Sequence, residues 1–239
     1  SAVITDLKGE LWSLTSGWRK QHAHNKVLRF EPASANGSVC WNPLDEIRTG
    51  TENEVGDVQN LATLIVDPDG KGLESHWQKT GQALLVGVIL HALYKARNEG
   101  TAATLPAVDA LLADPDRDIA ELWMEMRTYG HIDGENHPAV GSAARDMMDR
   151  PDEEAGSVLS TAKSYLALYR DPIVAHNISR SEFNIRDLMH HEQPVSLYIV
   201  TQPNDKARLR SLVRIMVNMI VRLLADKMDF KNGRQVAHY

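Results

Sequence analysis

The sequence predicts a helix-dominant α/β protein in which a partial parallel sheet is interrupted by an all-α helical-bundle insertion. Three observations carry this prediction. Runs of β-branched and aliphatic residues that stop at charges, glycine or proline occur near the two ends of the chain, at 2–5, 26–30 and 195–201. Over 45–180, apolar residues recur at helical spacing with hardly a strand candidate. Charge follows the same division: residues 1–44 carry 5 Lys and Arg against 3 Asp and Glu, residues 45–180 carry 12 against 23, and residues 181–239 carry 9 against 6. An acidic all-α domain at 45–180 is thus expected between a first sheet segment, 1–44, and a second, 181–239.

In chain order, the run at 2–5 is a strand whose carboxyl end reaches a surface at Asp6, Leu7, Lys8, Gly9 and Glu10. Leu11, Leu14 and Trp18 stand three and four residues apart and make 10–22 a helix. Residues 26–30 form a second strand, closed by Glu31 and Pro32. Strand, helix and strand in such short order fit a parallel crossover unit. Pro43 makes 41–44 a turn-like hinge. Helices are expected over 55–65, 74–97, 105–113, 119–129, 138–148 and 153–169, with loops at 67–72 and 130–137. The helix over 74–97 points Leu84, Val86, Leu90 and Leu93 in all directions, which belongs at the centre of a bundle.

Residues 195–201 are the strongest strand candidate, closed by Gln202 and Pro203. A helix over 208–228 follows, with Leu209, Leu212, Val213, Met216, Val217, Ile220, Leu223 and Leu224 in one stripe for packing on a sheet. Asn232 and Gly233 turn the chain into a further strand at Val236. So few strands are thin cover for a sheet buried on both faces, so the sheet is expected to be incomplete and the chain a fragment.

Several function classes are excluded by what the chain lacks. Its longest apolar stretch, 83–90, falls far short of the roughly 20 residues of a membrane helix, and charges interrupt any leader at Asp6, Lys8 and Glu10. The single cysteine, Cys40, allows no internal disulfide and reads as a buried apolar side chain. The stretch from Asp67 resembles a calcium loop, but Lys71 stands where an oxygen ligand is needed and Gln78 where a bidentate carboxylate is needed. His22 and His24, His131 and His137, and His190 and His191 lack further ligands at zinc spacing, so they read as core or surface histidines and no metal site is assigned. No Gly-x-Ser-x-Gly elbow, no Walker A loop and no apolar strand ending in Asp-Glu occurs. Hydrolysis of ATP needs a phosphate cradle and a magnesium-holding carboxylate, so no catalytic residue and no cofactor are assigned to this chain.

Two groups remain as candidates. Asp6, Lys8 and Glu10 at the carboxyl end of the first strand, with Gln202 at the end of the 195–201 strand, stand where open α/β sheets place ligands, which makes them nucleotide-proximal candidates. The plainer reading, a solvated turn, is the stronger of the two on sequence alone. Lys206, Arg208 and Arg210 form the densest basic patch and could contact DNA phosphates or a partner. Ordinary solvated charge at a helix start explains them at least as well, because no aromatic residues are interleaved for base stacking.

Five stretches in a fixed order carry a resemblance: VITDLKGE at 3–10, WNPLDEI at 41–47, Trp77 with ALL at 83–85, LYRDP at 168–172 and SLYIV at 196–200. Together they resemble the TraG-like type IV coupling proteins, the motors of bacterial conjugation. The resemblance implies a RecA-like nucleotide-binding domain interrupted by an all-α domain, with Walker A just before this stretch and Walker B just after it. It also implies ATP and magnesium in the full-length parent, hexamers at the cytoplasmic face of the bacterial inner membrane, and relaxase with single-stranded DNA and the secretion channel as partners. The acidic middle suits protein cargo better than tightly held DNA. The rival expectations are an independent nucleotide-binding enzyme and a helical interaction domain unconnected with DNA transfer.

Overall fold

The computed structural model describes residues 1–224, 228–231 and 234–237. Packing divides the chain into two compact units, residues 1–42 with 176–239, and residues 43–175.

In the first unit β1 (Ala2–Leu7), β2 (Lys26–Phe30) and β3 (Val195–Thr201) make a parallel sheet in the order β1-β3-β2. The strand latest in sequence is the central one. Leu197 of β3 pairs with Val3 on one side and Leu28 on the other, and all of β3 is buried. A strand with neighbours on both edges and cover on both faces reads as an unbroken apolar run, which is what made 195–201 so plain in the sequence. Connecting β1 to β2, α1 (Glu10–Gln21) lays Trp12 edge-on against Tyr198 with ring centroids 5.2 Å apart, and the Thr15 and Tyr198 hydroxyls are 2.6 Å apart. No residue of α1 is buried, and Leu14 and Trp18 are 77% and 61% exposed.

Residues from His176 onward join this unit because Asn177 ties them to the chain after β2. Its side-chain amide donates to the carbonyls of Pro32 (3.0 Å) and Ser34 (2.8 Å), and its own carbonyl accepts the Trp41 N–H (2.9 Å). The Glu182 carboxylate accepts the Cys40 N–H (2.8 Å). The unit therefore begins ahead of the boundary at 180 that charge and periodicity suggest. Replacing Asn177 by alanine removes the amide from the buried Pro32 and half-buried Ser34 carbonyls and should cost about 1–3 kcal/mol. Urea unfolding should then show a lower midpoint at unchanged slope.

After β3, α10 (Lys206–Leu224) buries Leu209, Leu212, Ile215, Met216, Met219 and Ile220. The buried stripe is rotated from the expected one, with Ile215 and Met219 in place of Val213 and Val217, because the latter two line a cleft beside β1. The helix expected through Met228 also ends sooner. Its described part stops at Leu224, where the apolar stripe runs out, and Met228 opens β4 (Met228–Lys231). That strand pairs antiparallel with β5 (Arg234–Ala237), which contains the strand expected at Val236. The turn expected at Asn232 and Gly233 lies outside the described residues.

The second unit runs through a 3-10 turn (Pro43–Glu46), α2 (Glu54–Val66), α3 (His76–Glu99), α4 (Leu105–Ala113), α5 (Ile119–Thr128), α6 (Pro138–Asp149), α7 (Asp152–Leu166) and a second 3-10 turn (Ala167–Arg170). The short α8 (Pro172–Asn177) bridges to the first unit, and α9 (Asp187–His190) lies within it. α3 is the hub, packed against α2, α6 and α7. Ser75 and Gln78 close a capping box at its start, and Gly100 at φ 68° stops it. Where α3 meets α6 the backbones approach so closely that a Cβ at Gly87 would lie 2.3 Å from the Ala143 Cβ.

The polar loop between α5 and α6 holds two buried histidines, and its hydrogen bonds fix every tautomer in the network. His131 Nδ1 accepts the His137 N–H (3.2 Å), so His131 Nε2 carries the proton and donates to His91 Nδ1 (2.9 Å). His91 must then carry its proton on Nε2, which lies 3.4 Å from a Glu125 carboxylate oxygen. His137 Nδ1 accepts the Ala139 N–H (3.1 Å), leaving Nε2 to donate to Glu54 (3.1 Å). Glu54 also accepts from the Tyr94 hydroxyl (2.7 Å) and the Gly50 N–H (2.6 Å). These histidines are core residues: His131 and His91 share one hydrogen bond, His137 meets Glu54, and the His91 Nε2 is buried without a hydrogen-bond partner among the described residues.

Candidate functional site

The carboxyl ends of the parallel strands gather the first group of candidates. β1 ends at Asp6 and Leu7, and Lys8 and Gly9, at φ 90° and 81°, turn the chain into α1. A left-handed lysine costs about 1–2 kcal/mol and persists only where its surroundings hold it. Here the Lys8 N–H donates to the Thr201 carbonyl (3.3 Å), joining the ends of β1 and β3. Asp6 is buried and its carboxylate accepts the Trp12 N–H (2.8 Å), so it caps the first turn of α1. Lys8 and Glu10 are exposed beside it. From the next strand, Gln202 donates its side-chain amide to Glu31 (2.8 Å).

Glu31 is the residue that sequence reasoning passed over. Standing directly after β2 and before Pro32, it reads as a strand terminator. It is in fact a buried carboxylate that accepts from Gln202, pairs with Arg29 and holds its own N–H on the Ser38 hydroxyl (2.9 Å). The signal was available, since a carboxylate beside a proline at the carboxyl end of a parallel strand occupies the ligand edge of the sheet.

The basic group is divided by its surroundings. Arg208 is engaged by Asp205 (2.9 Å). Lys206 and Arg210 line a cleft of about 320 Å³ with Thr5, Leu7, Val213 and Val217.

At the strand–helix turn of an open α/β sheet, a triphosphate is cradled by free N–H groups at the helix start. At α1 the Trp12 N–H is already taken by Asp6, and Glu10 and Glu31 stand at the same edge. Among the described residues no three His, Cys, Asp or Glu side chains are grouped to hold a metal ion. This edge alone does not fit a nucleotide with its magnesium, and no step of nucleotide chemistry is assigned to it.

Comparison with known proteins decides the family. The model of the type IV secretory system conjugative DNA transfer family matches residues 1–238. The chain belongs to that family. An Escherichia coli conjugal transfer protein TraG is 84% identical over the whole chain, which covers 38% of that protein's length. Protein VirD4 of Rhizobium radiobacter is 26% identical over 97% of the chain and is covered to 32%. The chain thus spans well under half of the curated relatives it matches. Among solved structures, the bacterial conjugative coupling protein TrwBdeltaN70 in its unbound monoclinic form aligns with a TM-score of 0.64 at 18% identity, over 98% of this chain and 47% of that one. TrwB in complex with ADP and Mg²⁺ aligns at 0.53 and 13% identity, over 94% and 52%. The small parallel sheet and dominant helices of this conjugative-transfer chain are therefore a fold shared with TrwB. Among the described residues no helix is long and apolar enough to cross a membrane.

Proposed function

We propose that this chain is the central stretch of a conjugative coupling protein, lying between its two nucleotide-binding motifs, and that it receives the transfer substrate. In this reading residues 1–42 and 176–239 are part of a RecA-like nucleotide-binding domain, and the helical unit is an all-α insertion that takes up relaxase carrying single-stranded DNA. The observation that carries it is the order β1-β3-β2: one parallel sheet assembled from the two ends of the chain, with a helical unit in the connection. Asp6, Lys8, Glu10 and Gln202 then stand near the nucleotide, and Lys206, Arg208 and Arg210 face DNA or a neighbouring copy. ATP and magnesium are bound by the parent once flanking segments supply the phosphate cradle and complete the sheet. The parent works as a hexamer anchored at the inner membrane, coupled to the secretion channel.

Two measurements test this reading. Substituting the chain for the matching segment of the 84% identical TraG should preserve conjugation, and removing 43–175 from that chimera should abolish transfer while the protein still accumulates. Calorimetric titration of the chain alone with ATP and magnesium should give no saturable heat. Saturable binding would favour an independent nucleotide enzyme.

A further inference from the structure

We infer that the cleft between α5, α6 and α7 docks a cationic amphipathic segment of a polypeptide. The inference rests on the reading that the helical unit receives protein cargo, and names the surface and the chemistry that would receive it. Ile119, Trp123, Met147, Met148 and Leu159 give an apolar lining to an open cleft of about 450 Å³, enough for one or two large side chains. Methionine walls suit such a site because their unbranched thioethers repack around different anchors. On the α7 wall a Cβ added at Gly156 would meet nothing within 4 Å, so the cleft is open there.

Charge identifies the occupant. Asp118 and Asp152, both exposed, stand at the starts of α5 and α7 and line the cleft. Residues 114–124 carry four carboxylates against one arginine, and residues 146–156 carry five against one. Arg150 also lines the cleft, but Asp146 (2.7 Å) and Glu154 hold it, as Asp149 holds Arg145 (2.6 Å) and Glu125 holds Arg117, so the excess charge at the cleft is that of Asp118 and Asp152 with the neighbouring Glu153. Arg127 reaches the Met148 sulfur (3.9 Å). Such a rim repels phosphate backbones and complements Lys and Arg flanking an apolar anchor.

The test is calorimetry at physiological salt with a Leu/Lys amphipathic peptide of about five helical turns, its Leu/Glu counterpart, and oligo-dT. The Leu/Lys peptide should bind saturably to one site. Gly156→Trp fills the cleft and should weaken binding about tenfold or more, whereas Gly156→Ala should not. Met148→Glu, which also alters the lining, serves if the tryptophan variant does not fold. Asp118→Asn with Asp152→Asn should weaken binding severalfold and flatten its salt dependence. Unchanged binding by the cleft variants, equal binding of the Leu/Glu peptide, or displacement of the peptide by oligo-dT overturns the proposal. If the cleft variants fail in this way while transfer by the chimera still requires residues 43–175, the cleft is lost and the cargo-receiving reading stands.

Discussion

Acidification from pH 6.5 toward pH 4 should strip the helical unit of much of its stability. Burial, reinforced by neighbouring positive charge, pushes His91 and His131 down from 6.5 to about 4. The hydrogen-bond directions give the reason: a second proton on His91 Nδ1 would face the His131 Nε2–H, and one on His131 Nδ1 would face the His137 N–H. The unfolded chain accepts these protons near pH 6.5 and the folded chain does not. Stability is thus fully present above that pH and drains away as it falls, on the order of 3 kcal/mol per ring if the two titrate separately. Their shared hydrogen bond makes the second protonation depend on the first. Below this window the loss continues through Glu125. Burial works to raise that carboxyl, but Lys95 and Arg117 more than offset it and hold it at about 2, so its contribution is lost between about 4.5 and 2. Urea melts at stepped pH should show a slope approaching two protons, and His91→Phe should flatten it toward one. A pH-independent midpoint across the window would refute the tautomer assignment.

The second large effect is steric. Gly87→Val places a branched side chain where even a Cβ would lie 2.3 Å from the Ala143 Cβ, with the Met126 methyl at 3.4 Å. Neither helix can yield easily, because α3 is also packed on α2 and α7. Overpacking a core usually costs about 1–3 kcal/mol, and a clash with a Cβ, which cannot rotate away, belongs at or beyond the upper end. Thermal melts should show a large drop for Gly87→Val. Gly156→Ala, in α7 with open space around it, should instead gain up to about 1 kcal/mol from helix propensity. Two helical glycines with opposite signs separate close approach from propensity.

How much of this was legible in the sequence depended on the range of the forces involved. Long apolar patterns were read well: 105–113 and 195–201 coincide with α4 and β3, and the all-round apolar 74–97 proved to be the hub α3. The short α8 and α9 have too few turns to show a period. The stripe on α10 was misjudged by one position around the helix, because Val213 and Ile215 are both apolar and only tertiary packing chooses between them. Burial of His131 and His137 was also hidden, since a polar loop becomes core only when partners such as His91 and Glu54, some forty and eighty residues away, come to meet it. At the strand ends Asp6, Lys8, Glu10 and Gln202 were singled out by position alone. Glu31 was missed because its partner Gln202 is distant in sequence.

The central place of β3 sets an order of events during synthesis. β1 and β2 emerge early, but each pairs with β3 and not with the other, and β3 emerges only after all of residues 31–194. The intervening helices need only nearer contacts and can settle first, whereas the sheet waits on closures of high sequence separation. During that interval Val3 and Leu28 lack the β3 partner that each has in the sheet, which leaves those edges open to other chains. A pulse of nascent chains stopped before residue 195 should therefore aggregate unless a chaperone is present.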